Sequence, residues 1–228
     1  MLSRAELLSQ RSPGVTEDVH FTESLAAAII EEYSQPGDLV LDPFAGFGTT
    51  PRVATRMGRR AAAIELLDDR SALIRQRLHG AAEVITGDAR QLRSMFQGPV
   101  DLCLTSPPYM TATGHPQNPL TGYATGDGDY HNYLAELTAV FREVAELLRP
   151  RGHAVVNVAN LVTADAFTPL AWDIGQRVSE FLTLRQDLFL CWDQQPPGIS
   201  GDYCLIFQKG NSWRCNPGAS IASGACPR

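Results

Sequence analysis

Four consecutive residues, Ser106-Pro107-Pro108-Tyr109, carry the most specific chemistry in this chain. They follow the apolar run Val100-Asp101-Leu102-Cys103-Leu104, which reads as a buried strand. Two adjacent prolines have no N–H to offer a sheet ladder, so the chain must leave the sheet at Ser106 with a stiffened backbone. A hydroxyl, carbonyls held in fixed directions and an aromatic ring together are suited to gripping a planar ring that carries an amino group. Taken alone, the motif also fits a rigid loop whose tyrosine merely packs.

Asp42, Glu65 and Asp88 each end a predicted strand, as Ser106 does. In open α/β sheets ligands bind outside the C-terminal strand tips. Between Asp42 and the next helix runs Pro43-Phe44-Ala45-Gly46-Phe47-Gly48-Thr49-Thr50. Gly46 and Gly48 allow close backbone approach, but the third glycine of a dinucleotide turn is missing, as is the Lys-Ser/Thr of a phosphate loop. Glu65 suits the two hydroxyls of a ribose, and Asp88 can accept from an adenine amino group. Each carboxylate alone also fits a helix cap or a solvated side chain. Together, in this order, they point to a ligand that carries adenosine without phosphate.

The elements that must position these groups alternate. Thr22-Glu23-Ser24 starts a helix that Pro36-Gly37-Asp38 ends, and residues 39–41 form a short buried strand. A helix over 49–57, a strand over 61–64, a helix over 67–79 and strands over 84–88 and 100–104 follow. Residues 110–130 read as a long loop of the kind that is functional or disordered. A strong amphipathic helix spans 131–148, with Tyr133, Leu134, Leu137, Val140, Phe141, Val144 and Leu148 on or near one face. A strand over 154–158, a helix over 167–182 and strands over 188–192 and 203–207 complete the pattern. The expected architecture is α/β: a doubly wound, mostly parallel seven-stranded sheet with an antiparallel edge hairpin. Residues 1–20 read as a loosely held arm, 21–210 as one domain and 211–228 as a poorly ordered tail.

With 228 residues, the chain is long enough for one large domain. No apolar run approaches the roughly 20 residues that span a bilayer, and no secretory pattern opens the chain, so a cytoplasmic protein is expected. The five cysteines include no C-x-x-C pair, which gives no zinc signature and favours reduced thiols. The net charge of −6 argues mildly against salt-driven nucleic-acid binding. Arg142, Arg149, Arg151 and His153 lie close in sequence and read as a solvated helix end rather than a basic footprint.

Asp42 to Thr50 followed by Thr105-Ser106-Pro107-Pro108-Tyr109 resembles the S-adenosylmethionine-dependent amino-methyltransferases that modify N4 of cytosine or N6 of adenine in DNA. The resemblance extends over about residues 20–210. Phe21 to Leu25 is similar to the family's first cofactor segment, and Leu188 to Gly210, with Trp192, Pro196, Pro197 and Tyr203, to its late hairpin. It implies a Rossmann-like methyltransferase fold with S-adenosyl-L-methionine as cofactor. Phe21, Thr22 and Ser24 would flank the methionine end, and Asp42, Phe44, Ala45, Gly46, Gly48 and Thr49 would form the main cofactor turn. Glu65 would hold the ribose, and Asp88 with Ala89 the adenine. Ser106, Pro107, Pro108 and Tyr109 would be the catalytic residues. The serine at the head of this motif leans towards N4-cytosine.

The implied reaction is a direct methyl transfer. Ser106 Oγ and the Pro107 carbonyl accept the two amine hydrogens, Tyr109 stacks on the ring, and positioning and fixed dipoles lower the barrier. A base within duplex DNA must first be flipped out. The acceptor stays open at this point. Residues 110–130 contain no Lys or Arg, poor material for gripping phosphates. An enzyme acting on RNA, or on a small amino-bearing heterocycle or nucleoside, is the alternative within enzymes. A cofactor-binding regulatory module without turnover is the alternative outside them. A homodimer is also open.

Overall fold

A computed structural model describes residues 1–11, 21–126 and 128–210. The elements in chain order are α1 (Arg4–Ser9), α2 (Glu23–Tyr33), β1 (Leu39–Asp42), α3 (Thr49–Arg56), β2 (Arg60–Glu65), α4 (Asp68–Leu78), β3 (Glu83–Thr86) and α5 (Leu92–Met95). They continue with β4 (Val100–Thr105), α6 (Tyr130–Leu147), β5 (Leu148–Val162), β6 (Phe167–Thr168), α7 (Leu170–Val178), β7 (Thr183–Phe189) and β8 (Ile199–Gln208).

Seven strands lie in the order β3-β2-β1-β4-β5-β8-β7, and the two-residue β6 pairs with β5 to make an eighth. The five strands from β3 to β5 run parallel, while β8 and β7 run antiparallel to their neighbours. This is the mostly parallel sheet with an antiparallel edge hairpin that the alternating pattern predicts. The central strands are apolar throughout because both sheet faces are covered. Helices α6 and α7 pack on one face, over Leu41, Cys103, Ala154 and Val156. Helices α2 and α3 pack on the other, over Val40, Leu102, Leu104 and Val155.

Local sequence starts the helices where expected. Thr22 Oγ1 accepts from the Leu25 amide at 3.3 Å and caps α2. Asp129 accepts from the amides of His131 and Asn132 at 2.7 and 3.0 Å and caps α6. On α6, Tyr133, Leu137, Val140, Phe141 and Val144 are buried almost completely, each such apolar side chain being worth about 1.5–3 kcal/mol of transfer free energy.

Other boundaries moved for tertiary reasons. β5 runs ten residues beyond the predicted five because β4 and β8 pair with it on both sides. The predicted helix over 167–182 shrinks to α7, because Phe167–Thr168 pairs with Leu161–Val162 and Pro169 stands at the N-cap. The strand predicted over 188–192 lies earlier, at Thr183–Phe189, and the last strand is longer than predicted; their register sets Thr183 against Gln208 and Phe189 against Tyr203.

Residues 1–11 differ from the loose arm read from their polar composition. The Leu2 amide donates to the Cys191 carbonyl at 2.7 Å, and the Asp193 amide donates back to Leu2 at 2.9 Å. Leu7 is buried, and Glu6 accepts from Ser24 Oγ at 2.7 Å and from the Ser24 amide at 3.0 Å. These few residues therefore join the start of α2 to the segment between β7 and β8. Residues 12–20, Asp127 and the tail predicted over 211–228 lie outside the described residues.

Candidate active site

The β1 and β2 registers pair Asp42 with Ala63 and Glu65 with Thr86, and Leu41 lies beside Cys103 of β4. The tips of β1, β2, β3 and β4 thus gather at one end of the sheet, as the sequence predicts for Asp42, Glu65, Asp88 and Ser106.

Asp42 is almost fully buried. Its Oδ1 accepts from Thr105 Oγ1 at 2.6 Å and from the Phe44 amide at 3.1 Å. Burial pushes the carboxyl up to about 6, against the opposing effect of the hydrogen bonds from Thr105, Thr50 and Phe44. The adjoining Thr50 Oγ1 also reaches the Leu104 carbonyl at 3.2 Å. Two hydroxyls therefore tie the end of β1 and the glycine turn to β4, just before Ser106.

Gly46 and Gly48 have φ of 55° and 83°, in the left-handed region that side chains disfavour. A Cβ on Gly48 would also stand 3.0 Å from Ile74 Cγ1 of α4. The turn is thereby pressed close to α4, with buried Thr49 opening α3 and the helix's amide end facing the turn. Ala45 is buried and its amide donates to the Ile64 carbonyl at 2.9 Å; Phe44 is partly exposed.

Glu65 grips the same turn: Oε2 accepts from the Gly46 amide at 2.8 Å and Oε1 from the Leu67 amide at 2.9 Å. Burial raises its carboxyl, while these two amides pull it back down. Two carboxylate oxygens offer about four acceptor sites, so lone pairs remain for the hydroxyls of a ribose. These observations fit the cofactor. Asp42 is a buried carboxylate whose hydrogen-bond partners are all neutral, the setting in which a cationic ligand end gains most.

Asp88 and Ala89 sit at the tip of β3, Ala89 buried. The geometry adds a neighbour that the sequence does not announce. Arg90 folds back on Asp88, with Nε at 3.0 and 2.9 Å from its two oxygens and Nη2 at 2.6 Å. Arg90 Nη1 reaches Glu136 Oε1 on α6 at 3.1 Å, and Glu136 Oε2 accepts from buried Asn118 Nδ2 at 2.8 Å. An adenine amine would therefore meet an Asp88 already shared with Arg90. Asn118 and Leu120 are buried, and Gly122 lies against Leu66 and Leu67, just past Glu65. The loop after Tyr109 thus folds across to the Glu65 and Asp88 side of the crevice.

Just before α2, Phe21 is buried among apolar residues and Thr22 serves as cap. The Ser24 hydroxyl is bound to Glu6, so the start of α2 is braced by α1. Glu23 forms ion pairs with Arg52 and Arg56 of α3.

In the acceptor turn, Pro107 is buried and Pro108 offers its carbonyl to the hydroxyl of fully buried Tyr133 at 2.8 Å. Tyr109 packs against the α6 side of the core. Its hydroxyl accepts from Ser106 Oγ at 3.3 Å and donates to the Asn157 carbonyl at 3.5 Å. Burial raises the phenol far above its ordinary range, so it stays protonated. Beyond Asn157 lies a group that sequence reasoning missed. Asp202 is buried and accepts from Asn157 Nδ2 and Trp192 Nε1, both at 2.9 Å. Burial pushes this carboxyl also up to about 6. No short motif marks it; only the β5–β8 register brings Asp202 beside Ala159.

Two arginines in and after α6 are held in ion pairs. Arg142 pairs with Glu180 and lies over the Phe181 ring, and Arg149 pairs with Asp101. His153 packs against Tyr33. A groove of about 760 Å³ with Arg59, Arg60 and Arg149 in its wall opens at the other end of the sheet, away from all the residues of the crevice. Among the described residues, no helix is long and apolar enough to cross a membrane.

Residues 10–76, which include α2, the cofactor turn and β2, match the sequence model of a family described as DNA methylase. Among solved structures, TrmN from Thermus thermophilus aligns with a TM-score of 0.62 at 21% identity, over 83% of this chain and 49% of its own. The chain thus spans about half the length of that protein. The N-methyltransferase NodS from Bradyrhizobium japonicum WM9, in complex with S-adenosyl-L-homocysteine, aligns at 0.58 and 14% identity, over 82% of this chain and 85% of its own. An rRNA methylase from Streptococcus thermophilus aligns at 0.52 and 10% identity, over 82% and 96%. The fold is the Rossmann-like fold of these methyltransferase structures, and residues 10–76 resemble the DNA methylase family.

Proposed function

We propose that this protein methylates an exocyclic amino nitrogen of a nucleobase, N4 of cytosine or N6 of adenine in DNA, with S-adenosyl-L-methionine as donor. One observation carries the reading. Thr105, the residue before the Ser106 to Tyr109 turn, hydrogen-bonds Asp42 of the cofactor turn, so donor and acceptor segments are locked side by side.

Asp42 and the amide end of α3 would receive the methionine portion, Glu65 the ribose, and Asp88 with Ala89 the adenine. Bound there, the cofactor supplies a methyl carbon attached to a positively charged sulfur. The chain's own part is to prepare the nucleophile. An aromatic amine is weakly nucleophilic because its lone pair is delocalised into the ring. Ser106 Oγ and the Pro107 carbonyl accept the two amine hydrogens, which draws the nitrogen towards tetrahedral geometry and frees its lone pair. The methyl carbon would pass to this lone pair with the C–S bonding pair staying on sulfur, and the amine would give up one proton to solvent. Alignment of this kind supplies roughly 7–11 kcal/mol in well-oriented cases.

A second reading, transfer to RNA or to a small amino-bearing heterocycle, is favoured by charge. The chain carries −6, and the loop over 110–130 has no Lys or Arg for a phosphate backbone. Transfer of tritium from labelled S-adenosyl-L-methionine, measured in parallel on DNA, RNA and nucleosides, decides between them. Incorporation into DNA at the cytosine or adenine amine supports the first reading. Incorporation only into RNA or nucleosides replaces it with the second. Cofactor binding without transfer to any acceptor leaves a binding module.

A further inference from the structure

The place where β4 ends leaves a gap in the ladder of β5. Thr105 stands opposite Val156 in this parallel pair. Carried on by two residues, the register would set Pro107 opposite Val158 and require its N–H to serve the Asn157 carbonyl. Proline has no N–H. The Tyr109 hydroxyl occupies that slot instead, donating to the Asn157 carbonyl at 3.5 Å, with the Ala159 backbone a further polar neighbour of the phenol. A side-chain hydroxyl thus stands in for the missing backbone group.

This arrangement fixes the direction of a hydrogen-bond chain. A carbonyl only accepts, so the Tyr109 proton goes to Asn157. The phenol oxygen is then left as an acceptor, and Ser106 Oγ donates to it at 3.3 Å. With its proton committed away from the crevice, Ser106 Oγ can present only lone pairs to a substrate amine. The polarity would otherwise be free, because a serine hydroxyl rotates to suit any partner. Contacts of this kind are often long without substrate and tighten in the reacting complex.

We propose that the Tyr109 hydroxyl is a positioning group that holds Ser106 as a pure acceptor towards the substrate amine, a role separate from any stacking by its ring. The inference rests on the reading of Ser106 as the acceptor-side residue in the proposed methyl transfer.

The test is a double-mutant cycle of Tyr109→Phe and Ser106→Ala, read by kcat, KM and cofactor affinity. Tyr109→Phe keeps the ring and removes only the hydroxyl. It is expected to lower kcat about five- to tenfold with cofactor affinity unchanged, and to cause no further loss once Ser106 is alanine. Full activity in Tyr109→Phe overturns the proposal, as does an equal loss in both backgrounds, since the hydroxyl would then act apart from Ser106. A second readout needs no turnover. Amide hydrogen exchange at Ala159 is expected to quicken in Tyr109→Phe, and an unchanged rate overturns the slot. Wild-type protein that binds cofactor but methylates no nucleobase would sink the reading of the function, while the exchange measurement still judges the geometry.

Discussion

Thr105 Oγ1 donates to Asp42 Oδ1 at 2.6 Å, although the two residues stand 63 positions apart in the chain. Asp42 closes the strand before the glycine turn and Thr105 closes the strand before Ser106-Pro107-Pro108-Tyr109. The bond is short and its acceptor is a buried carboxyl, so it both offsets part of the burial cost of Asp42 and sets the spacing between the two halves of the crevice.

Replacing this threonine by valine keeps the shape and removes the hydroxyl. Thr105→Val is expected to destabilise the fold by ~1–3 kcal/mol, because a buried acceptor loses its donor. It should also weaken the cofactor, since Asp42 becomes harder to ionise. Denaturant unfolding and calorimetry with S-adenosyl-L-methionine check both.

Cofactor affinity should depend on pH. Asp42 titrates at about 6 in the folded protein without ligand, and its ionised form is the one that pairs with a positively charged ligand end. Affinity is expected to fall up to about tenfold per unit as pH drops below 6, and Asp42→Asn should be weaker and nearly flat there. Calorimetry from about pH 5 to about pH 8 reads the slope.

Stability carries the opposite sign. An unfolded aspartate titrates near 3.9, whereas Asp202 stays protonated up to about 6 when folded. Between those values the folded state binds more protons, so the contribution of Asp202 to stability is largest at low pH and is lost as pH rises to about 6. Asp202→Asn cannot ionise. Its stability relative to the wild type is therefore expected to improve by ~2–3 kcal/mol between about pH 4 and about pH 7, as measured by urea unfolding.

The two motifs should separate in binding. Asp42→Ala is expected to abolish cofactor binding, whereas Ser106→Ala keeps it and slows transfer by roughly tenfold or more. Calorimetry on both variants, with the transfer assay beside it, checks the division. Equal loss of binding would contradict the roles given to the two residues.

Arg90 links Asp88 to Glu136, and Glu136 holds Asn118 in the loop after the acceptor turn. Arg90→Ala is expected to cost only about 1 kcal/mol, because the pairs are partly exposed, and to speed hydrogen exchange around residues 118–122. Exchange unchanged in this loop would show that Arg90 does not brace it.

Much of this site was legible in the chain because its signals are local. Two prolines end a strand wherever they fall, and glycines at 46 and 48 meet a need for positive φ that few other residues satisfy. Alternating apolar runs and amphipathic helices implied the parallel sheet and placed Asp42, Glu65, Asp88 and Ser106 at its C-terminal end. What the chain alone left undecided depends on pairing across long separations. Strand register brought the Asn157 carbonyl to the Tyr109 hydroxyl and Asp202 to Asn157. Folding back of the loop joined Asn118 to Glu136 and Arg90. Docking of Leu2 against the segment between β7 and β8 braces what reads as a polar arm, with helix α1 over Arg4–Ser9. Composition and periodicity report the faces an element buries; which buried polar group meets which partner is set only when the sheet closes its register.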